Sequence, residues 1–360
     1  MGLGRWVRRW PDWAAYAAAV WSLGYGALGL HWSFGGSGFP FGLAHDPAGA
    51  LSVLANVRRE TAAPVIAVLG LVAGIVAVVM RRGRPDSVVR LPLLAFAWVA
   101  AVALAIAIPD FRVLTLVAYA PIIILGAPFD WPEPVDFFDV IPWPIVNQGI
   151  CIVGGLAWAA TAIAYQRRAR GACVACGRAD LVPHWQSAAA TRRWGTWAVA
   201  VAVVVPLMYA ITRWAWALGF PLGLTEKFYR EGQAVGLWWR GAALATLAIG
   251  GAVLTIGLVR PWGEVFPRWI PFVAGRRVPH ALVVVPATFV AVIVTAAGLM
   301  FVRMSITGTF KLGDNPVTFS ENFGALWPEL LWPVWGVALG AATLAYHYRT
   351  RGRCATCGRE

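Results

Sequence analysis

Lysine is almost missing from this chain: of its 30 basic residues only Lys227 and Lys311 are lysine. That is the codon bias of a GC-rich genome. It points to a bacterial source and makes the preference for arginine weak evidence of function. Charge of either sign is also scarce, at 13% of residues, against 59% hydrophobic residues and a mean hydropathy of +0.65. Such a chain has too few polar side chains to wet the surface of a soluble domain of 360 residues. The expectation is a multi-pass membrane protein.

Catalytic signatures are missing too. No glycine-rich phosphate loop follows a strand, and there is no His-Glu-x-x-His, no Gly-x-Ser-x-Gly and no triad pattern. The balance of the reading is therefore non-enzymatic. Carboxylates are missing from the middle of every long apolar run, which argues against proton coupling at the bilayer midplane.

What is present is a series of apolar runs. A helix needs about 20 apolar residues to cross the hydrocarbon layer, and eight runs qualify: Trp13–Trp32, Thr61–Met80, Leu91–Pro109, Ile145–Tyr165, Gly195–Leu218, Gly236–Val259, His280–Val302 and Pro328–Tyr348. The first follows three arginines but lacks a small-residue cleavage site, so it reads as a retained span. A ninth run, Val113–Phe129, is short and interrupted by Pro121 and Pro128.

Eight spans with both termini in the cytoplasm place 21 of the 30 basic residues, but only 5 of the 17 acids, in inner segments. The acidic stretch with Asp130, Glu133, Asp136 and Asp139 then falls outside, with Asp110, Asp314, Glu321 and Glu329. Making Val113–Phe129 a full span would bring that stretch inside, so the run is expected to be re-entrant or interfacial on the outer face. The +13 charge thus follows the membrane and gives no sign of nucleic-acid binding.

The two halves resemble each other at an offset of 181. Gly-Phe-Pro-Phe-Gly-Leu (38–43) recurs as Gly-Phe-Pro-Leu-Gly-Leu (219–224), and Trp13, Arg59, Gly155 and Tyr165 match Trp194, Arg240, Gly336 and Tyr346. Four spans per half is an even number, so both copies enter the membrane from the same side. The expected fold is an all-α integral membrane protein of two parallel four-helix pseudo-repeats, residues 1–180 and 181–360, with one extra hydrophobic segment.

Each half ends in a cysteine knuckle, Cys173-x-x-Cys176-Gly177 and Cys354-x-x-Cys357-Gly358. This spacing lets two thiolates reach one ion, and the glycine permits the tight turn. Two knuckles supply the four sulfurs of a structural zinc site, on the reducing side where persistent disulfides do not form. The pairing resembles a zinc ribbon, although four membrane spans stand between the knuckles instead of a small sheet. A redox dithiol and functionally silent cysteines are the alternatives. Cys151, inside the fourth run, reads as a small core residue.

Near the expected outer boundary lie Arg59, Arg240, Arg112, Arg303 and Arg213. They could hold an anionic lipid head group or solute by forked hydrogen bonds, or simply snorkel and pair with neighbouring acids. His31 reads as a wetted interfacial histidine. Asn147 and Gln148 read as a cap or a cross-helix bond, and Gly154-Gly155 and Gly250-Gly251 as points of close helix approach.

Three functional classes follow. The first is a zinc-stapled membrane protein acting as a scaffold or regulator with an unidentified protein partner. The second is a transporter or lipid-handling protein with the outer arginine site, and the third a membrane thiol oxidoreductase.

Overall fold

The computed structural model describes residues 9–83, 88–126, 141–180, 183–307, 311–312, 315–316 and 321–359. The acids Asp130, Glu133, Asp136, Asp139 and Asp314, and the first eight residues, lie outside them. The described chain is helical: α1 (Trp10–Ser33), α2 (Arg59–Arg82), α3 (Arg90–Val102), α4 (Phe111–Gly126), α5 (Trp143–Ala169), α6 (Ala188–Ala217), α7 (Glu226–Ala234), α8 (Leu237–Ile256), α9 (His280–Thr307), α10 (Phe323–Leu330) and α11 (Trp332–Thr350). A π turn, Ala103–Ala107, continues α3. The extended structure named among the described residues is a two-residue antiparallel pair, Lys311–Leu312 with Asn315–Pro316.

Among the described residues six helices are long and apolar enough to cross a membrane: α2, α3 with its π turn, α5, α6, α8 and α9. Helices α1 and α11 were expected to qualify as well. They are long enough, but tryptophan, tyrosine, glycine and a histidine in each lower their hydropathy. Their small residues serve close packing instead. Ala14, Ala15, Ala18, Ala19, Ser22, Gly26 and Gly29 form the buried stripe of α1, and a Cβ on Gly26 would lie 3.1 Å from the Cα of Gly70 on α2.

The ends of these helices are set by local chemistry. The hydroxyl of Ser187 accepts from the Ala190 amide to cap α6, and Thr225 does the same for Phe228 in α7. Arg81 and Arg82 close α2, and Arg167 and Arg168 close α5, each complementing the negative end of the helix dipole. Two expectations are corrected. The last apolar run is not one helix, because the chain breaks at Leu331 between α10 and α11. Pro121 does not interrupt the ninth run either, since α4 passes through it to Gly126. At 16 residues α4 is about 24 Å long.

The chain divides into two compact units. One comprises residues 1–110, 136–182 and 352–360; the other comprises 111–135 and 183–351. In the first unit α1 packs on α2 and α5, and α3 packs on α5. Its core gathers Ala18, Met80, Ala97, Trp158 and Tyr165, all at 1% exposure or less.

In the second unit α6 packs on α8 and α11, and α9 packs on α11. Tyr346 is buried there with Ala291, Leu339 and Ala342. Helix α4, though it follows α3 in sequence, packs on α9 and α8, with Phe111 and Phe301 6.5 Å apart.

Candidate metal centre

All four knuckle cysteines fall in the first unit, because the last nine residues return to it after α11. Each knuckle is wound the same way. The Gly177 amide donates to the Cys173 carbonyl at 2.7 Å, and the Gly358 amide to Cys354 at 2.8 Å. The Cys173 amide donates to the Arg178 carbonyl at 2.9 Å, and the Cys354 amide to Arg359 at 3.0 Å. Gly177 and Gly358 have φ of +75° and +70°, a conformation that side chains disfavour and that lets the chain turn back after the second cysteine.

The knuckles are clasped reciprocally. Arg178 Nη1 donates to the Arg359 carbonyl at 3.0 Å and to Gly352, while Arg359 Nη1 donates to the Arg178 carbonyl at 3.4 Å. Arg359 also pairs with Asp180 at 2.6 Å. From the last turn of α5, Arg167 donates to the carbonyls of Val174 and Ala175, fixing the first knuckle against the helix that precedes it.

The result is a compact sulfur set: the Sγ atoms of Cys173, Cys176, Cys354 and Cys357 lie within 4.8 Å of one another, with Cys176 and Cys357 3.7 Å apart. All four are half-buried. Burial pushes the Cys176 thiol up to about 11, with the Arg178 amide opposing it. At Cys354 burial acts in the same direction but is outweighed. The amides of Cys357 and Thr356 and the thiols of Cys176 and Cys357 bring it down to about 6. Cys354 is therefore readier than Cys176 to act as a thiolate ligand. Four thiols at these separations can hold one metal ion.

The five arginines of the second candidate site are distributed differently. Arg59, in the first unit, stands at the start of α2 and pairs loosely with Glu60 at 3.9 Å. Arg112, Arg213, Arg240 and Arg303 belong to the second unit, where Arg240 is exposed and Arg112 and Arg303 are half-buried. Arg213 is buried. It forms an ion pair with Glu329 of α10, and its guanidinium lies 4.5 Å from the Tyr209 ring centroid and 4.3 Å from that of Trp216.

Asn147 and Gln148 bond across helices. Tyr25 donates to Asn147 Oδ1 at 2.8 Å, and Gln148 Nε2 donates to Asp110 Oδ2 at 2.9 Å. Cys151 is fully buried beside Tyr25. Gly155 is a close-approach point, but Gly250 and Gly251 are not: among the described residues a Cβ on either would meet nothing within 4 Å. Their expected packing role is corrected accordingly. His31 is exposed at the end of α1, with its ring against Gly36.

Sequence reasoning missed one matched pair. Arg168 donates to the carbonyls of Met80 and Arg81 at the end of α2, and Arg349, 181 positions later, donates to the Leu258 carbonyl beyond the end of α8. The same offset that aligned the cysteines could have found it. Neither a protein-family model, nor a curated protein, nor a solved structure matches this chain.

Proposed function

We propose that the protein is a non-enzymatic, multi-pass membrane protein of two parallel four-helix repeats, in which one zinc ion bound by Cys173, Cys176, Cys354 and Cys357 fastens the C-terminal tail to the loop between the repeats. In this reading α1, α2, α3 and α5 correspond to α6, α8, α9 and α11. Eight spans result, with both termini and both knuckles on the cytoplasmic side and an unidentified protein as the partner.

The observation that carries the reading is the clasped sulfur set. Zinc with four thiolates at about 2.3 Å sets neighbouring sulfurs about 3.8 Å apart, and the cross-knuckle pair stands at 3.7 Å. An iron–sulfur cluster would have to sit between its thiolates and spread them farther than this set allows. The repeat is supported by equal packing order in the two units, by the positive φ of Gly38 and Gly42 and of Gly219 and Gly223, and by the Arg168 and Arg349 caps.

Elemental analysis of the detergent-purified protein tests it. About one zinc per chain is expected in the wild type, and none in the Cys173→Ser, Cys354→Ser double variant. Wild-type protein without metal, with thiols that cycle freely, would overturn the staple and favour the oxidoreductase reading. Iron in place of zinc would preserve the fastening and change the ion.

A further inference from the structure

A structural zinc site in a protein interior is shielded on all sides, and this one is not. Cys151 shows what a sealed cysteine looks like in the same unit, at 0% exposure, whereas each knuckle cysteine is only half-buried. On one flank lies a cavity of about 610 Å³, with Cys173 from one knuckle and Cys357 from the other on its wall, and with Arg9 and Arg359 beside them. A small solute entering this cavity meets a sulfur from each knuckle. Across the centre from Cys357, at 3.7 Å, stands Cys176.

Thiolate character, access and a neighbouring cysteine are the three requirements of an oxidant-responsive thiol. Zinc supplies the first by keeping its ligands deprotonated, the cavity the second and Cys176 the third. We propose that this centre is a site of modification by hydroperoxides, with Cys357 as the attacking sulfur and Cys176 as the resolving one, so that zinc is released as an inter-knuckle disulfide forms.

In the first step the Cys357 thiolate attacks the outer peroxide oxygen. The O–O bond breaks, the sulfur becomes a sulfenic acid, and the departing alkoxide takes a proton from water. In the second, the Cys176 thiolate attacks that sulfur and expels hydroxide, which also takes up a proton. Two thiolates, one hydroperoxide and two protons thus give one disulfide, one alcohol and one water. Zinc has lost half its ligands and leaves. Because the new bond joins the two knuckles, the tail stays tied to the loop by a covalent link that a thiol reductant can undo.

This inference rests on the metal reading above, and one experiment separates the two. Purified zinc-loaded protein is treated with tert-butyl hydroperoxide while a chromophoric indicator follows zinc, and non-reducing peptide mapping then locates the disulfides. One zinc released per disulfide is expected, with Cys176 joined to Cys357, and a thiol reductant with added zinc should restore the starting content. Protein purified without zinc overturns the metal reading and this one together. Zinc that stays bound under peroxide, or disulfides confined to Cys173–Cys176 and Cys354–Cys357, overturns this one alone.

The variant Ala172→Trp adds bulk to a residue on the cavity wall while leaving all four cysteines in place. It should keep its zinc and slow the release about tenfold, because access limits the oxidation of an otherwise competent thiolate. An unchanged rate with normal zinc content would remove the cavity from the argument.

Discussion

The two units bury a polar side chain at positions 181 apart and satisfy it in opposite ways. In the first, Gln148 at the start of α5 exchanges two hydrogen bonds with Asp110, receiving the Asp110 amide at 3.0 Å and donating to its carboxylate at 2.9 Å. In the second, Glu329 in α10 meets the guanidinium of Arg213, which is itself stacked over Tyr209 and Trp216. An amide can be satisfied by whatever donor and acceptor lie near it. At Glu329 the carboxylate meets an opposite charge instead, and α6 supplies it at a point where an arginine would otherwise be costly. Glu329 Oε2 even lacks a hydrogen-bond partner among the described residues. The second unit is therefore held at this position by a single high-stakes charged pair, and the first by two hydrogen bonds between Gln148 and the buried Asp110.

Removing one charge should expose that asymmetry most sharply. Arg213→Ala leaves Glu329 buried and unpaired and is expected to lower stability by about 3–5 kcal/mol. The double variant Arg213→Leu with Glu329→Leu should recover most of it, since well-packed apolar residues replace a buried pair at little cost. Gln148→Leu in the first unit should lose only about 1 kcal/mol, the usual scale of a hydrogen bond between membrane helices. Unfolding in mixed detergent micelles measures all three. Equal losses for Arg213→Ala and Gln148→Leu would mean that the two positions are energetically alike despite their chemistry.

A smaller effect is expected where the units agree. Gly155 on α5 faces α3, where a Cβ would lie 2.7 Å from the Ala105 amide nitrogen; Gly336 on α11 faces α9, where a Cβ would lie 2.7 Å from the Ala291 carbonyl. In both units the approach, of α5 to α3 and of α11 to α9, runs through a glycine. The obstructing atoms include backbone, which cannot swing aside, so Gly155→Val and Gly336→Val should each cost about 1–3 kcal/mol through overpacking. A large loss in one and none in the other would show that equal spacing hides unequal packing.

These contrasts also mark what the sequence could disclose. Hydropathy located the six long apolar helices, because a segment matched to the hydrocarbon layer has little choice but to be apolar. It placed some ends too far inward, since α1 begins three residues before Trp13 and α5 ends four beyond Tyr165, and others too far outward, since α8 stops at Ile256, short of Val259. The four cysteines were legible as one ligand set because four sulfurs complete a tetrahedron and two do not.

The rest depended on tertiary contact. Nothing in the sequence of α4 says that it packs on α9 and α8 rather than beside α3, and nothing in Arg168 or Arg349 taken singly distinguishes a helix-capping arginine from any other basic residue at a helix end. By sequence Arg213 is one of five arginines near the expected outer boundary and Glu329 one of several acids. That the two form a pair required α6 and α10 to be set side by side, 116 positions apart in the chain.

The least perturbing test lies on α8, where Gly250 and Gly251 would each accept a Cβ with nothing within 4 Å. Paired glycines in an apolar helix suggest close packing, and Gly154-Gly155 on α5 shows what that looks like, with Trp21 and Ala105 in the way of any side chain. On α8 the same doublet has open space. The only remaining effect of alanine there is on the helix itself, where glycine is less favourable by about 1 kcal/mol per residue. Gly250→Ala and Gly251→Ala should therefore leave stability unchanged or raise it by up to about 1 kcal/mol each. A loss of stability comparable to that of Gly155→Val would mean that a neighbouring molecule packs against this face of α8, and the doublet would then have the same use in both units.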